Sequence, residues 1–158
     1  MPKRSAADWV LEALAFAALV AIIVIVATHW TELPARVPRH FGISGKPDRW
    51  GNKNGMLLLP LTATGLYLLI TLASRYQRLI NAPIAIDRDA PEVQRLLQSM
   101  SITLKTVLLF VFVYVEWTNV NTALGRSAGL GKLFLPISLL AVVLPLGFYV
   151  QKLREHQK

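Results

Sequence analysis

The sequence predicts an all-α integral membrane protein: a four-transmembrane-helix, up-down bundle with a structured outer loop at 31–55 and a long third helix extending into the cytoplasm. Three observations predict it. The chain of 158 residues is 54% hydrophobic, above the roughly 45–50% of ordinary soluble domains, and its mean hydropathy is +0.46. The excess is gathered into four blocks, at about 10–30, 56–74, 102–119 and 133–151, each close to the roughly 20 residues that span a hydrocarbon core about 30 Å thick. Basic residues flank these blocks, as membrane insertion and anionic headgroups favour. Together they predict a single membrane domain over 1–158.

A soluble helix needs a polar stripe. Leu11 to Thr28 offers only Glu12 and the terminal Thr28 as clearly polar positions, so no stripe of 3.6-residue period runs through it. Trp9 and Trp30 bracket this span, where amphipathic rings sit in interfacial belts. Lys3 and Arg4 before an apolar run also suit a secretory signal, but the run exceeds the roughly 7–15 residues of a signal core and no A-x-A site follows. It is read as an uncleaved first span.

The stretch Leu33 to Gly55 is the longest polar passage without periodicity. Pro34 and Pro38 disfavour helix at Leu33 and Val37; Gly42, Gly45 and Pro47 supply turns. Gly51 and Gly55, with Asn52 and Asn54, permit positive φ just before the second helix starts near Met56. Phe41 and Trp50 are apolar enough to hold the loop against the helix ends or the bilayer surface. Asp48 is expected to hold its turn through local backbone N–H groups, with Arg49 or Lys53 as charge partner.

Leu33-Pro34, Val37-Pro38, His40-Phe41, Gly45, Pro47-Asp48, Trp50-Gly51 and Lys53 resemble, in order and spacing, the signature loop of a small bacterial membrane domain. That domain forms the N-terminal part of the sporulation-delaying-protein immunity family. Asn81 and Pro83 match the family more loosely, and the resemblance covers about the first 85 residues. It implies a multi-pass protein of the bacterial inner membrane with an immunity-like or accessory role.

In the cytoplasmic loop at 75–100, Arg75, Tyr76 and Arg78 extend the second helix and Asn81-Ala82-Pro83 breaks it. Asp89-Ala90-Pro91-Glu92 reads as a helix start: Asp89 caps, Pro91 suits the first turn and Glu92 closes a capping box. With no breaker until beyond Asn119, the third helix is expected to run for about 30 residues, or some 45 Å. A glycine-rich loop follows, then a last span with Pro136 near its start and Pro145 inside, where a kink is expected.

Lys3, Arg4, Arg75, Arg78, Arg88, Arg95, Lys152, Arg154 and Lys158 make nine basic residues on the side of the termini. Arg36, Arg39, Lys46, Arg49, Lys53, Arg126 and Lys132 make seven on the other. The positive-inside rule then puts both termini in the cytoplasm and the 31–55 loop outside, in the cell membrane.

The chain contains no cysteine, which excludes disulfides, thiolate metal sites and cysteine nucleophiles. No Gly-x-Ser-x-Gly elbow is present. The net charge of +8 is explained by the flanks of the spans, so no nucleic-acid partner is expected.

Glu12, His29, Lys105 and Glu116, with Asn119, are the polar positions inside or at the rim of the spans. Charges there need partners. Glu12 and Lys105 each lie about one turn inside the same interface and are expected to pair. Glu116 shares a face with Asn119 and is expected to anchor the outer loop through His29, His40, Arg49 or Lys53. A metal site built from His29, His40, Asp48 and Glu116 is the alternative, although the spacing matches no standard ligand motif.

The function expected is non-enzymatic: a binding, immunity-like or accessory membrane subunit that needs no cofactor and sits in the lipid bilayer. Its 31–55 loop would recognise a peptide or membrane-protein partner through Pro34, Pro38, His40, Phe41, Gly45, Pro47, Asp48, Arg49, Trp50, Gly51 and Lys53. The second reading is a small metal-dependent or proton-coupled membrane enzyme or carrier using His29, His40, Asp48 and Glu116.

Overall fold

The computed structural model describes residues 4–75 and 90–156; the Asn81–Pro83 breaker, the Arg78 extension and the Asp89 cap lie outside them. Four helices carry the fold: α1 (Ala6–His29), α2 (Leu58–Arg75), α3 (Pro91–Ala123) and α4 (Phe134–Arg154). All four are long and apolar enough to cross a membrane. Between α1 and α2 stand two short strands, β1 (Arg36–Phe41) and β2 (Pro47–Asn52), and a 3-10 turn over Lys53–Leu57.

Helix α1 starts on a capping box that the sequence reading missed. The Ser5 hydroxyl accepts from the Asp8 amide at 3.1 Å, and the Asp8 carboxylate accepts from the Ser5 amide at 2.9 Å and from its hydroxyl at 2.8 Å. Arg4 also lies 5.0 Å from the centre of the Trp9 ring, as suits a guanidinium over an aromatic face.

Helix α3 is 33 residues long, about 50 Å at 1.5 Å per residue. Its first turn departs from expectation. Pro91 sits at the start, but the cap position is Ala90, which makes no side-chain cap bond. Glu92, whose expected capping partner Asp89 lies outside the described residues, reaches toward the end of α4. Its carboxylate accepts from His156 Nε2 at 3.0 Å, beyond the end of α4, while His156 Nδ1 donates to the Lys152 carbonyl at 3.0 Å.

α3 is the helix on which the others pack. Glu12 and then Val26 of α1 meet Lys105 and then Val120, so α1 runs along α3. Thr71, Ala63 and Met56 meet Lys105, Leu109 and Val120, so α2 runs against it. Phe134, Tyr149 and Leu153 meet Tyr114, Thr103 and Val93, so α4 also runs against it. α4 is continuous through Pro145 and packs chiefly on α3.

Burial is inverted relative to a water-soluble protein. Leu69 and Leu144 are 68% and 66% exposed, whereas Lys105 and Glu116 are at 0%. A surface of large apolar side chains around charged residues with no exposure suits a hydrocarbon solvent and not water. The chain is a membrane-inserted, mainly helical protein.

The hairpin is the departure from an all-α fold. β1 and β2 pair antiparallel, Arg36 opposite Asn52 and Phe41 opposite Pro47, with the register shifting on either side of His40. Those irregularities admit Pro38 and Pro47 within paired strands. Gly51 and Gly55 do not take positive φ. Their role is space: a Cβ at either position would run into the Arg39 side chain, which lies across both.

Gly45 has φ of 75°, and its carbonyl accepts from the Leu130 amide at 2.7 Å. A Cβ there would overlap the backbone of Gly131, and one on Gly129 would overlap the Gly45 carbonyl. The hairpin tip and the α3–α4 loop therefore interlock backbone to backbone. Gly45→Ala should lower stability by about 1–3 kcal/mol, read as a fall in thermal midpoint in detergent. Gly65→Ala is the control, since nothing lies within 4 Å of its added Cβ, and it should leave the midpoint unchanged or raised.

The His156 pKa is raised above its ordinary value, first by its bond to the Lys152 carbonyl and then by that to Glu92. Both ring nitrogens face acceptors, so the imidazolium is the favoured form. A raised folded-state value means that this stabilisation is fully present below the ordinary histidine value of about 6.5 and is lost as pH rises through the folded value. The stability difference between wild type and His156→Gln should therefore be largest in mildly acidic buffer and shrink as pH rises, measured by thermal unfolding across that window.

Candidate functional site

Of the positions singled out in the 31–55 loop, Pro38 is buried, Phe41, Pro47, Gly51 and Lys53 are half-buried, and Pro34, His40, Asp48, Arg49 and Trp50 are exposed. Hydrogen bonds hold the hairpin in place. His40 Nδ1 meets Asp48 Oδ1 across the strands at 2.7 Å, the Lys53 amide donates to the Ala35 carbonyl at 3.0 Å, and the Gly45 carbonyl is fixed by Leu130. Glu32, just before the hairpin, accepts from Arg126 of the α3–α4 loop at 3.0 Å.

The expected charge partners of Asp48 were Arg49 and Lys53. The structure gives it His40 instead, because the register shift beside His40 brings the imidazole and the carboxylate face to face. Lys53 lies 4.8 Å from the centre of the Trp30 ring, which clasps the second helix start to the end of the first.

Beside the hairpin tip is a crevice of about 510 Å³ between the turn and the start of α4. His40 and Asp48 line it on one side, Phe134 and Leu135 on the other. Ile43, also at its edge, is 88% exposed, and Trp50 is 44% exposed. Arg36, Arg39, Lys46 and Arg49 of the hairpin are exposed as well. The hairpin thus presents both apolar and basic side chains to its surroundings.

Deeper in the fold, Lys105 has no exposed surface. Its ammonium donates to Glu12 Oε1 at 2.7 Å and to Thr71 Oγ1 at 2.9 Å, and lies 4.5 Å from the centre of the Tyr67 ring. One cation thereby joins α1, α2 and α3 at a single depth, and the expected pair with Glu12 is present. Thr71 and Tyr67 were missed by sequence reasoning; a hydroxyl in an otherwise apolar run of α2, at matching depth, was the available signal. Thr106, the next residue, donates to the Leu11 carbonyl at 3.1 Å.

Glu116 is also fully buried, as the inward-facing expectation requires, but the anchoring expectation fails. Neither carboxylate oxygen has a hydrogen-bond partner, and neither does Asn119 Oδ1 or Thr122 Oγ1. The cations proposed for it are engaged elsewhere or face outward. His29 Nδ1 meets the Ile25 carbonyl at 2.9 Å and the Thr28 hydroxyl at 3.1 Å, with its ring edge-on to Trp117. His40 is on Asp48, Lys53 is on Trp30, and Arg49 is exposed.

The metal alternative fails on the same geometry. His29, His40, Asp48 and Glu116 do not converge, and among the described residues no group of three or more ligand-type side chains does.

Residues 17–64, which comprise the C-terminal part of α1, the hairpin and the start of α2, match the model of a family described as a domain of unknown function (DUF1648). An uncharacterized protein of Archaeoglobus fulgidus is 31% identical over 133 residues, which cover 74% of this chain and 71% of that protein. The chain belongs to the family of that archaeal protein. The similarity extends well beyond the hairpin unit, so family membership embraces much of the helical framework as well. No solved structure matches the chain.

The Lys105 cluster generates a quantitative expectation. Removing one charge of a buried pair costs about 3–5 kcal/mol, because the other is left uncompensated, whereas removing both costs less than the sum. Glu12→Gln and Lys105→Met should each lower the unfolding midpoint, and the double variant should recover about 1 kcal/mol or more of the summed loss. A double-mutant cycle in detergent or nanodiscs measures this, and additive losses would show that the two side chains do not act as a pair.

Proposed function

We propose that this is a non-enzymatic, multi-pass membrane binding subunit, immunity-like or accessory to a membrane complex, which recognises a peptide or protein partner through the 31–55 hairpin. The observation that carries this reading is the make-up of the hairpin's exposed side chains, Ile43 and Trp50 together with Arg36, Arg39, Lys46 and Arg49. Exposed apolar side chains among positive charges suit an acidic, amphipathic segment, with the charges steering encounter and the segment's apolar face meeting Ile43 and Trp50. A hairpin held at both strands and at its tip loses little conformational entropy on binding.

The arrangement proposed is an up-down four-helix bundle in the cell membrane with both termini cytoplasmic, α3 reaching into the cytoplasm and the hairpin outside. The nine-to-seven basic count and the 33-residue length of α3 support it. The resemblance of the hairpin loop to the immunity family supports the binding role.

One substitution tests both parts, since the chain has no cysteine of its own. Ser44→Cys should react with a membrane-impermeant maleimide in intact cells, and Asp87→Cys should not. The Ser44→Cys protein carrying an environment-sensitive fluorophore should then respond to a synthetic acidic amphipathic peptide and not to a basic one. Trp50→Ala should weaken that response about tenfold or more, as loss of an interfacial aromatic anchor does. No response to the acidic peptide, or an equal response to both, counts against the binding reading; the reverse labelling pattern counts against the topology.

A further inference from the structure

Glu116 stands apart from every other charged group in the described residues. It is at 0% exposure, and both of its carboxylate oxygens lack a partner. It lies eleven residues beyond Lys105 and four before Val120, so at about 100° per residue all three share nearly one face of α3. Lys105 meets both α1 and α2 on that face, and Val120 clusters with Val26 and Met56. Glu116 therefore sits in the apolar interior of the three packed helices and not on the lipid surface.

Its surroundings supply oxygens and no cation. Asn119 Oδ1 and Thr122 Oγ1, three and six residues on, are buried and equally unpartnered. Each step of three residues rises about 4.5 Å along the helix and turns about 60° around it, so Asn119 is the nearer of the two to the Glu116 carboxylate and both lie toward the C-terminal end of α3. That end of a helix carries partial negative charge, which favours a cation.

An ionised carboxylate in such a place must be neutralised. The titratable and charged groups on the surrounding elements do not do it. On α1, Glu12 is tied to Lys105 and His29 to the Ile25 carbonyl; on α2, Tyr67 faces the Lys105 ammonium and Arg75 ends the helix. On the hairpin side His40 holds Asp48, Arg36, Arg39 and Arg49 are exposed, and Lys53 covers Trp30. On α3 itself, Tyr114 donates to the Leu130 carbonyl.

We propose that Glu116, assisted by Asn119, is a binding site for one small monovalent cation, a proton or Na⁺, entered from the C-terminal end of α3. One carboxylate balances one positive charge, so a divalent ion would leave the apolar interior charged. The donors are hard oxygens, which suit a proton or an alkali ion and not a soft metal.

Dicyclohexylcarbodiimide tests this, because it partitions into the apolar interior and reacts with a protonated carboxyl group. The purified full chain in nanodiscs is treated across about pH 5 to about pH 9, a range that brackets the values of buried glutamates, and the adduct is located by peptide mass mapping. Glu116 should be modified, and the rate should fall about tenfold per pH unit above its midpoint. Glu12, held by Lys105, should be spared.

Protection by NaCl but not by choline chloride assigns Na⁺ as a ligand, and equal rates in the two salts assign the proton alone. Asn119→Leu should abolish any Na⁺ protection while leaving the proton-dependent labelling in place. Glu116→Gln should remove the adduct; should that variant fail to fold, the wild-type map carries the test by itself. No adduct at Glu116 across the range, a rate indifferent to pH, or equal modification of Glu12 and Glu116 would overturn the proposal.

Discussion

A lysine with no exposed surface sets the terms for the helical framework. In a hydrocarbon environment apolar side chains gain little by meeting each other and not lipid, so helix register must come from packing and from polar groups that have nowhere else to go. The Lys105 ammonium needs all its acceptors, and it finds them on two other helices at once: Glu12 on α1 and Thr71 on α2. Sliding either helix by one turn would move its acceptor about 5.4 Å away and leave a buried charge uncompensated. The cluster of Ala15, Ala18, Leu19, Ile22, Ala63 and Leu109 then packs in the register that this cation imposes, with alanines allowing close approach of the backbones.

At the other end of the molecule the constraint is backbone and not charge. The hairpin tip and the α3–α4 loop meet at Gly45, Gly129 and Gly131, where a Cβ on Gly45 or Gly129 would overlap the facing backbone, and the Gly45 carbonyl to Leu130 amide bond closes the contact. Val37, Leu33 and Met56 seal the hairpin's underside against Val26 and Val120. The region matched by the domain of unknown function coincides with this unit. What that stretch of sequence encodes is therefore a small folded cap, a bulged hairpin on two helix ends, and not a flexible connection between spans.

How far the sequence reveals this depends on the range of the forces involved. The four spans are legible because length and hydropathy are local properties, and the Glu12–Lys105 pair is legible because two charges at equal depth have few other choices. The hairpin was not legible. Pro38 and Pro47 argue against ladder positions, and the shifts around His40 destroy the alternation that marks a strand. Gly51 and Gly55 read as turn residues, but their smallness serves the Arg39 side chain, a tertiary fact. At the start of α3 the same holds: the Glu92 carboxylate meets His156, 64 residues away, a contact that no local pattern announces. The inward orientation of Glu116 followed from its depth; that no loop cation would reach it depends on where the hairpin folds.

Lys105 and Glu116 lie on nearly the same face of one helix, about 16 Å apart along its axis, with the apolar cluster around Leu109 between them. Their environments differ in one respect that matters energetically. The lysine is satisfied by a carboxylate, a hydroxyl and an aromatic face, so any displacement there loses bonds that nothing replaces. The glutamate and the two oxygens above it make no hydrogen bond, so adjustment of their side chains breaks none. Near Glu12 the molecule resists change because the buried Lys105 ammonium is held by Glu12 Oε1 and Thr71 Oγ1 together. Near Glu116 the surrounding side chains can accommodate a different protonation or occupancy without dismantling the register set by Lys105. A rigid polar centre and an unsatisfied one on the same helix separate the demand for stability from the capacity to respond.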